Sequence, residues 1–322
     1  MVLIGYHASH EQYTPRDVLE CVQQAERAGF MAAMCSDHLF PWSETQGESG
    51  FAWSWLGAAM QATSLSFGVV NAPGYRYHPV IIAQAAATLQ QMFPDRFWIA
   101  VGSGEAMNEH ITGEKWPIKS ERNARLRECV DVMRALWAGE TVTHHGRITV
   151  EDARVYSRPQ NPPAIIGAAL SPETAEWMGS WVDGMVTINA ARDNLRKIIE
   201  AFHRGGGEGK PMFLQVHLAW GSSEERIRHE TWEQWRSVSF PSSVIADLRM
   251  PEQFEAMAQR VRPEDIDDGV RISTDLQQHI AWLQEDVEMG FERIYLHNVP
   301  RNQREFIEGF GERVIPEFRS TP

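Results

Sequence analysis

Ser36-Asp37-His38 sets a carboxylate beside an imidazole, directly after an apolar run from Phe30 to Cys35. An imidazole titrates near neutrality and a neighbouring carboxylate tunes it, so His38 is a candidate general acid or base, although a loop-capping histidine would show the same spacing. Asp37 either orients the ring or holds the loop, and the second role is the simpler. Another carboxylate, Glu105, closes Gly102-Ser103-Gly104-Glu105 after a further apolar run. In a cleft such a group serves as a second acid-base residue; on a surface it is a solvated side chain. The Gly-x-Gly itself is a weak phosphate signal and reads first as a tight turn. Ala168-Ala169-Leu170-Ser171-Pro172-Glu173 reads as a strand entering a helix, with Ser171 as cap and Pro172 at the first position. The free N–H groups of a helix start bind phosphate, and the same residues also describe an ordinary capped helix.

The elements that would position these groups are eight short apolar runs: Val2 to Tyr6, Phe30 to Cys35, Leu65 to Val70, Phe97 to Gly102, Ala164 to Ala169, Gly184 to Ile188, Met212 to Ala219 and Arg293 to Leu296. Each is bounded by Gly, Pro, Asp or Asn, and most precede a stretch of helical spacing, such as Val18, Cys21, Val22 and Ala25 between Thr14-Pro15 and Gly29. Repeated βα units of this kind predict a (β/α)8 TIM barrel, whose active site is built from the loops after the strands. The residues there form a polar mouth: His7 and His10, Asp37-His38, Asn71 to Gly74, Ser103 to Glu105 with Asn108, Leu170-Ser171, Asn189, Trp220 and His297-Asn298. Two connections are too long for ordinary loops. They predict insertions after strands 4 and 7: His110 to Pro163, with a helix around Ala124 to Trp137, and Gly221 to Asp275, with helical portions at Glu224 to Arg236 and Pro251 to Arg260. Trp42, Phe51, Trp53, Trp55, Tyr75, Tyr77 and Trp116 could wall a planar ligand, though Trp53 and Trp55 read first as core.

The chain has 322 residues, more than the roughly 250 of a bare barrel, which suits one domain over 1–322 with insertions. A net charge of −13 opposes partnership with nucleic acid or anionic membrane. No apolar stretch is long enough to span a bilayer and Met1 to Gln12 carries no leader pattern, so a cytoplasmic location is expected. Cys21, Cys35 and Cys129 are spaced for neither a disulfide framework nor a zinc site. A metal-dependent barrel hydrolase would need ligands from several strand ends; His7 with His10 is one pair, without matches at Ala168, Asn189 or Asn298, and no metal is expected. A Schiff-base enzyme would need a buried lysine, whereas Lys115, Lys119, Lys197 and Lys210 read as loop or helix residues. A ligand-binding barrel without catalysis would explain the aromatics but not Asp37-His38.

Several motifs in one order resemble the bacterial luciferase-like flavin and deazaflavin oxidoreductases: Cys35-Ser36-Asp37-His38-Leu39-Phe40-Pro41-Trp42, Arg76-Tyr77-His78-Pro79 with Ile82-Ala83-Gln84-Ala85, and Gly102-Ser103-Gly104-Glu105-Ala106-Met107-Asn108-Glu109. The similarity extends through Glu121 to Glu128, Asp183-Gly184 and Asn302 to Phe306, and is greatest to the branch containing F420-dependent glucose-6-phosphate dehydrogenase. The resemblance implies a TIM barrel carrying a tricyclic ring at its mouth, with His38 in proton transfer, Glu105 as partner acid and Trp42 near the ring. It places Asp37, Ser103, Gly104 and Asn108 at the cofactor, Val69, Val70 and Asn71 at a bulge or cis peptide behind the ring, and Ala168 and Ala169 on the phosphate side. Leu170-Ser171 stand there in place of the family's glycines. The basic residues that hold a sugar phosphate in that branch align with Ala191, Ile245 and approximately Arg271, which argues against glucose 6-phosphate as substrate. The expected cofactor is FMN, with coenzyme F420 as the alternative. The expected chemistry is hydride transfer or monooxygenation on a small uncharged or aromatic molecule, in a homodimer, with a flavin reductase or NAD(P)H as electron source.

Overall fold

The computed structural model describes residues 2–319, so Met1 and the last three positions of the 1–322 span lie outside it. Eight parallel strands form the framework: β1 (Leu3–His7), β2 (Ala32–Ser36), β3 (Ser66–Asn71), β4 (Phe97–Val101), β5 (Ala164–Ala168), β6 (Gly184–Ile188), β7 (Met212–Ala219) and β8 (Arg293–Asn298). Each pairs with its neighbour, and β8 pairs with both β7 and β1, which closes the cylinder. Closure removes the sheet edges that would otherwise need covering.

The helices on the outside are α1 (Pro15–Ala28), α2 (Ala52–Ala62), α3 (Pro79–Met92), α4 (Lys119–Ala138), α5 (Pro172–Gly179), α6 (Arg192–Phe202), α7 (Leu276–Glu288) and α8 (Gln303–Arg313). The predicted signals operate in α1: Thr14 accepts from the Asp17 amide, Pro15 occupies the first turn, and Gly29 ends the helix with φ near 100°. Helix α4 starts at Lys119, ahead of the Ala124 expected, because Ile118 offers no side-chain cap to mark the boundary. The first insertion also carries an antiparallel hairpin, Val142–His145 with Thr149–Ala153. The second contains helices Glu224–Trp235 and Pro251–Ala258, plus a two-residue strand, Arg271–Ile272, that pairs with β7.

Two apolar layers result. One lies between strands and helices; the other fills the barrel with Met34, Trp98, Ile166, Val186, Phe213 and Tyr295. Trp98 packs 5.1 Å from Phe213 and 5.7 Å from Tyr295, ring centre to ring centre. Gly5 and Gly68 make room for them: a Cβ at Gly5 would strike the Tyr295 ring and one at Gly68 the Trp98 ring. This plug seals the barrel below the mouth, so the open end belongs to the polar residues above it. Gly68→Val should overpack the interior and lower the unfolding free energy by about 1–3 kcal/mol; an unchanged urea midpoint would show that the ring has room.

Candidate active site

A cavity of about 1320 Å³ opens at the ends of the strands. It exceeds the roughly 300–1,000 Å³ of an ordinary small-molecule pocket, leaving space for an extended cofactor with a substrate beside it. His38, Trp42, Glu105 and Asn108 all line it, as do Val70, Asn71, Ser103, Gly104, Ala168, Leu170 and Ser171. Val69 and Ala169 do not. Both are fully buried between strands and helices, because alternate residues of a strand face opposite sides. No cis peptide occurs among the described residues, and Val69–Asn71 continue β3 in regular register with β4. Trp220 and Asn298, expected at the mouth, also lie off the cavity: Trp220 packs against Phe310, and Asn298 is fully buried, its side chain accepting from the Trp220 amide.

Asp37 is a strut. Its side chain accepts from Trp53 Nε1 at 3.1 Å, Asn71 Nδ2 at 2.8 Å and Tyr77 OH at 3.2 Å, and the Arg76 guanidinium lies 3.5 Å away. Asp37 borders the cavity, and these contacts also let its carboxylate hold the loop. Asn108 likewise joins two loops, its Oδ1 accepting from the Leu39 amide at 2.8 Å. Trp53 and Trp55 are core, as their place in α2 predicts.

The carboxylate beside His38 is Glu11, with Oε1 at 3.4 Å from Nδ1. Sequence reasoning missed it. It lies past the end of β1 in an irregular segment, and nothing in its spacing announces that the chain turns back to the next strand's loop. Ser9 Oγ donates to its other oxygen at 3.0 Å. Trp42 meets the His38 ring edge to face at 5.0 Å and is backed at 5.5 Å by Phe254 of the second insertion. Burial, with the positive charge of Arg76, lowers the His38 pKa to about 3. Burial raises Glu11 to about 7; burial with Glu109 and Glu11 raises Glu105 to about 7. The site therefore holds a neutral imidazole among carboxyl groups that titrate near neutrality.

Three more histidines, inside strands rather than beyond them, complete the floor. His7 stacks on His297 at 4.5 Å, and His217 lies edge-on to His297 at 5.5 Å. Stacked faces do not aim their nitrogens at one point, and among the described residues no three His, Cys, Asp or Glu side chains are arranged to hold a metal ion. At the opposite wall Lys119, from the start of α4, donates to Ser103 Oγ at 2.7 Å, and Arg122 lies beside it. Ser171, Glu173 and Thr174 at the start of α5 face the same space, although Ser171 Oγ already accepts the Thr174 amide.

These buried groups set the pH dependence of stability. His7 and His38 are lowered to about 3, and His10, His217 and His279 to about 4, mainly by burial. Below about 6.5 the unfolded chain binds protons these rings refuse, so their contribution is lost as pH falls towards their folded values. Glu11, Glu105 and Glu109, raised to about 7, act oppositely: the folded chain keeps protons that the unfolded chain releases above about 4.5, so stability falls as pH rises to about 7. The histidines outnumber the carboxyls, so the urea midpoint should rise from pH 4.5 to 6.5 and then level or decline. A monotonic fall over that range would contradict these assignments.

The geometry coincides with that of known enzymes. The family model for luciferase-like monooxygenase matches residues 1–293. The F420-dependent glucose-6-phosphate dehydrogenase of Beutenbergia cavernae is 33% identical over 99% of this chain and 98% of its own length; that of Kribbella flavida is 32% identical with the same coverage. A solved F420-dependent secondary alcohol dehydrogenase, in complex with an F420-acetone adduct, superposes with a TM-score of 0.91 at 31% identity, covering 99% of each chain. The chain belongs to the luciferase-like monooxygenase family.

Proposed function

We propose that this oxidoreductase is an F420-dependent dehydrogenase that oxidises a small, uncharged, hydroxyl-bearing substrate, or reduces the corresponding carbonyl compound, with His38 as the acid-base group. The observation that carries this is the neutral imidazole of His38 facing the cavity with Glu11 behind it and Trp42 across it. The relatives named above favour F420, and on that likeness FMN, expected first from sequence, comes second. The residues present suit such a cofactor. Asn71 Oδ1 lacks a partner at the wall, and Lys119, Arg122 and the start of α5 would meet an anionic tail.

When bound, a deazaflavin supplies a two-electron hydride acceptor. The protein handles the proton. With Nδ1 3.4 Å from the Glu11 carboxylate, His38 presents Nε2 to the substrate hydroxyl and takes up its proton as the hydride leaves carbon. The imidazolium so formed lies against the Glu11 carboxylate, which lowers the cost of the charge. Trp42 covers the ring edge and limits water. Glu105 holds a proton at the cavity wall. A phosphorylated substrate is disfavoured: Arg271 is committed to Asp286 through two contacts of 2.6 and 2.8 Å, and Ala191 and Ile245 carry no charge.

Titration with F420 and FMN separately, followed by cofactor fluorescence, should give tight binding of F420 alone; tight binding of FMN alone would reverse the choice. His38→Ala should keep F420 binding and lose turnover by about 10²- to 10⁴-fold. Alcohol oxidation should rise with pH through about 7 as Glu11 ionises. Glu11→Gln should flatten that limb, and a limb left in place would assign it to another group.

A further inference from the structure

Besides His38 Nδ1, three buried ring nitrogens that lack a partner lie on two stacked histidines at the floor of this cavity. Both ring nitrogens of His7 are unpaired, as is His297 Nδ1, and both residues line the cavity. His10 is also unpaired, but it packs on Trp55 at 4.6 Å and stays off the cavity. Leaving a buried donor or acceptor unsatisfied costs about 1–3 kcal/mol each, so a cluster of them facing a void is arranged for something that hydrogen-bonds. His7 is only 3% exposed, and its stacking on His297 fixes the ring in place. Trp235 closes this side as an apolar wall, 4.9 Å from His297 and 4.7 Å from His217.

The chemistry of the missing partner follows. A neutral imidazole offers one donor and one acceptor, which matches groups that also donate and accept. Burial holds His7 and His297 neutral, so no positive charge waits there for a phosphate or carboxylate. We propose that His7, with His297, reads a second oxygen of the substrate, so that the preferred substrates are uncharged compounds with more than one hydroxyl or carbonyl group, such as diols, hydroxyketones or free sugars. This rests on the proposed function, in which His38 receives the proton of the first hydroxyl. His7 and His38 line the same cavity, at the ends of the adjacent strands β1 and β2, which puts the second oxygen near the reacting one.

The test compares 2,3-butanediol with 2-butanol. With F420 the wild type should prefer the diol in kcat/KM by about tenfold. His7→Phe, which keeps a stacking ring without polar atoms, should bring the ratio close to one, and His7→Gln should recover part of it. A wild-type ratio near one, or a ratio unchanged in His7→Phe, overturns the proposal. If neither alcohol is turned over, the proposed function fails on its own account, and tryptophan fluorescence of the cofactor-free protein decides this one. Saturable quenching by the diol that His7→Phe abolishes supports it; equal or absent quenching overturns it. Should His7→Phe fail to fold, His7→Leu serves in its place.

Discussion

The buried carboxylate of Asp37 is the constraint on which the mouth of this barrel depends. Burial pushes its pKa up, while Arg76, Asn71, Tyr77 and Trp53 pull it back down. Charge in the interior must be paired and hydrogen-bonded, so α2, the end of β3 and the turn before α3 are drawn to one point. Its main-chain carbonyl also accepts from Arg76. Side chains of consecutive residues in extended backbone point to opposite sides; with Asp37 fixed in the wall, His38 is sent into the cavity. Arg76 serves twice, since the charge that pairs with Asp37 also disfavours an imidazolium at His38.

That arrangement gives the site an electrostatic character unlike a plain polar cleft. The imidazoles of the floor stay neutral because they are desolvated and crowd one another, and the carboxyl groups are raised because they too are desolvated. Proton exchange near neutrality therefore costs little at Glu11 and Glu105, while burial and the charge of Arg76 hold the His38 imidazole unprotonated. Cationic groups gather at the other wall, at Lys119 and Arg122, opposite the imidazoles that burial keeps neutral.

The strands were legible because each is a short apolar run between chain-breaking residues. The insertions were legible because their lengths exceed any βα loop. What stayed hidden lacked a local signal. Helix α4 begins without a capping side chain, and Arg271–Ile272 is a strand only because β7 extends far enough to pair with it. Lys119, read as a loop or helix residue, reaches Ser103 because α4 starts early over the cavity rim.

The sequence by itself determined that eight strands would close a barrel, and that His38, Trp42 and Glu105 would stand at its rim, since strand ends and loop residues follow from local pattern. It could not determine which carboxylate meets His38, that Val69 and Ala169 turn outward while Val70 and Ala168 turn in, or that His7, His217 and His297 share one floor. Those are matters of facing, fixed by barrel closure and by the register between neighbouring strands. Residues some two hundred or more apart in the chain became neighbours only when β1, β7 and β8 were hydrogen-bonded side by side.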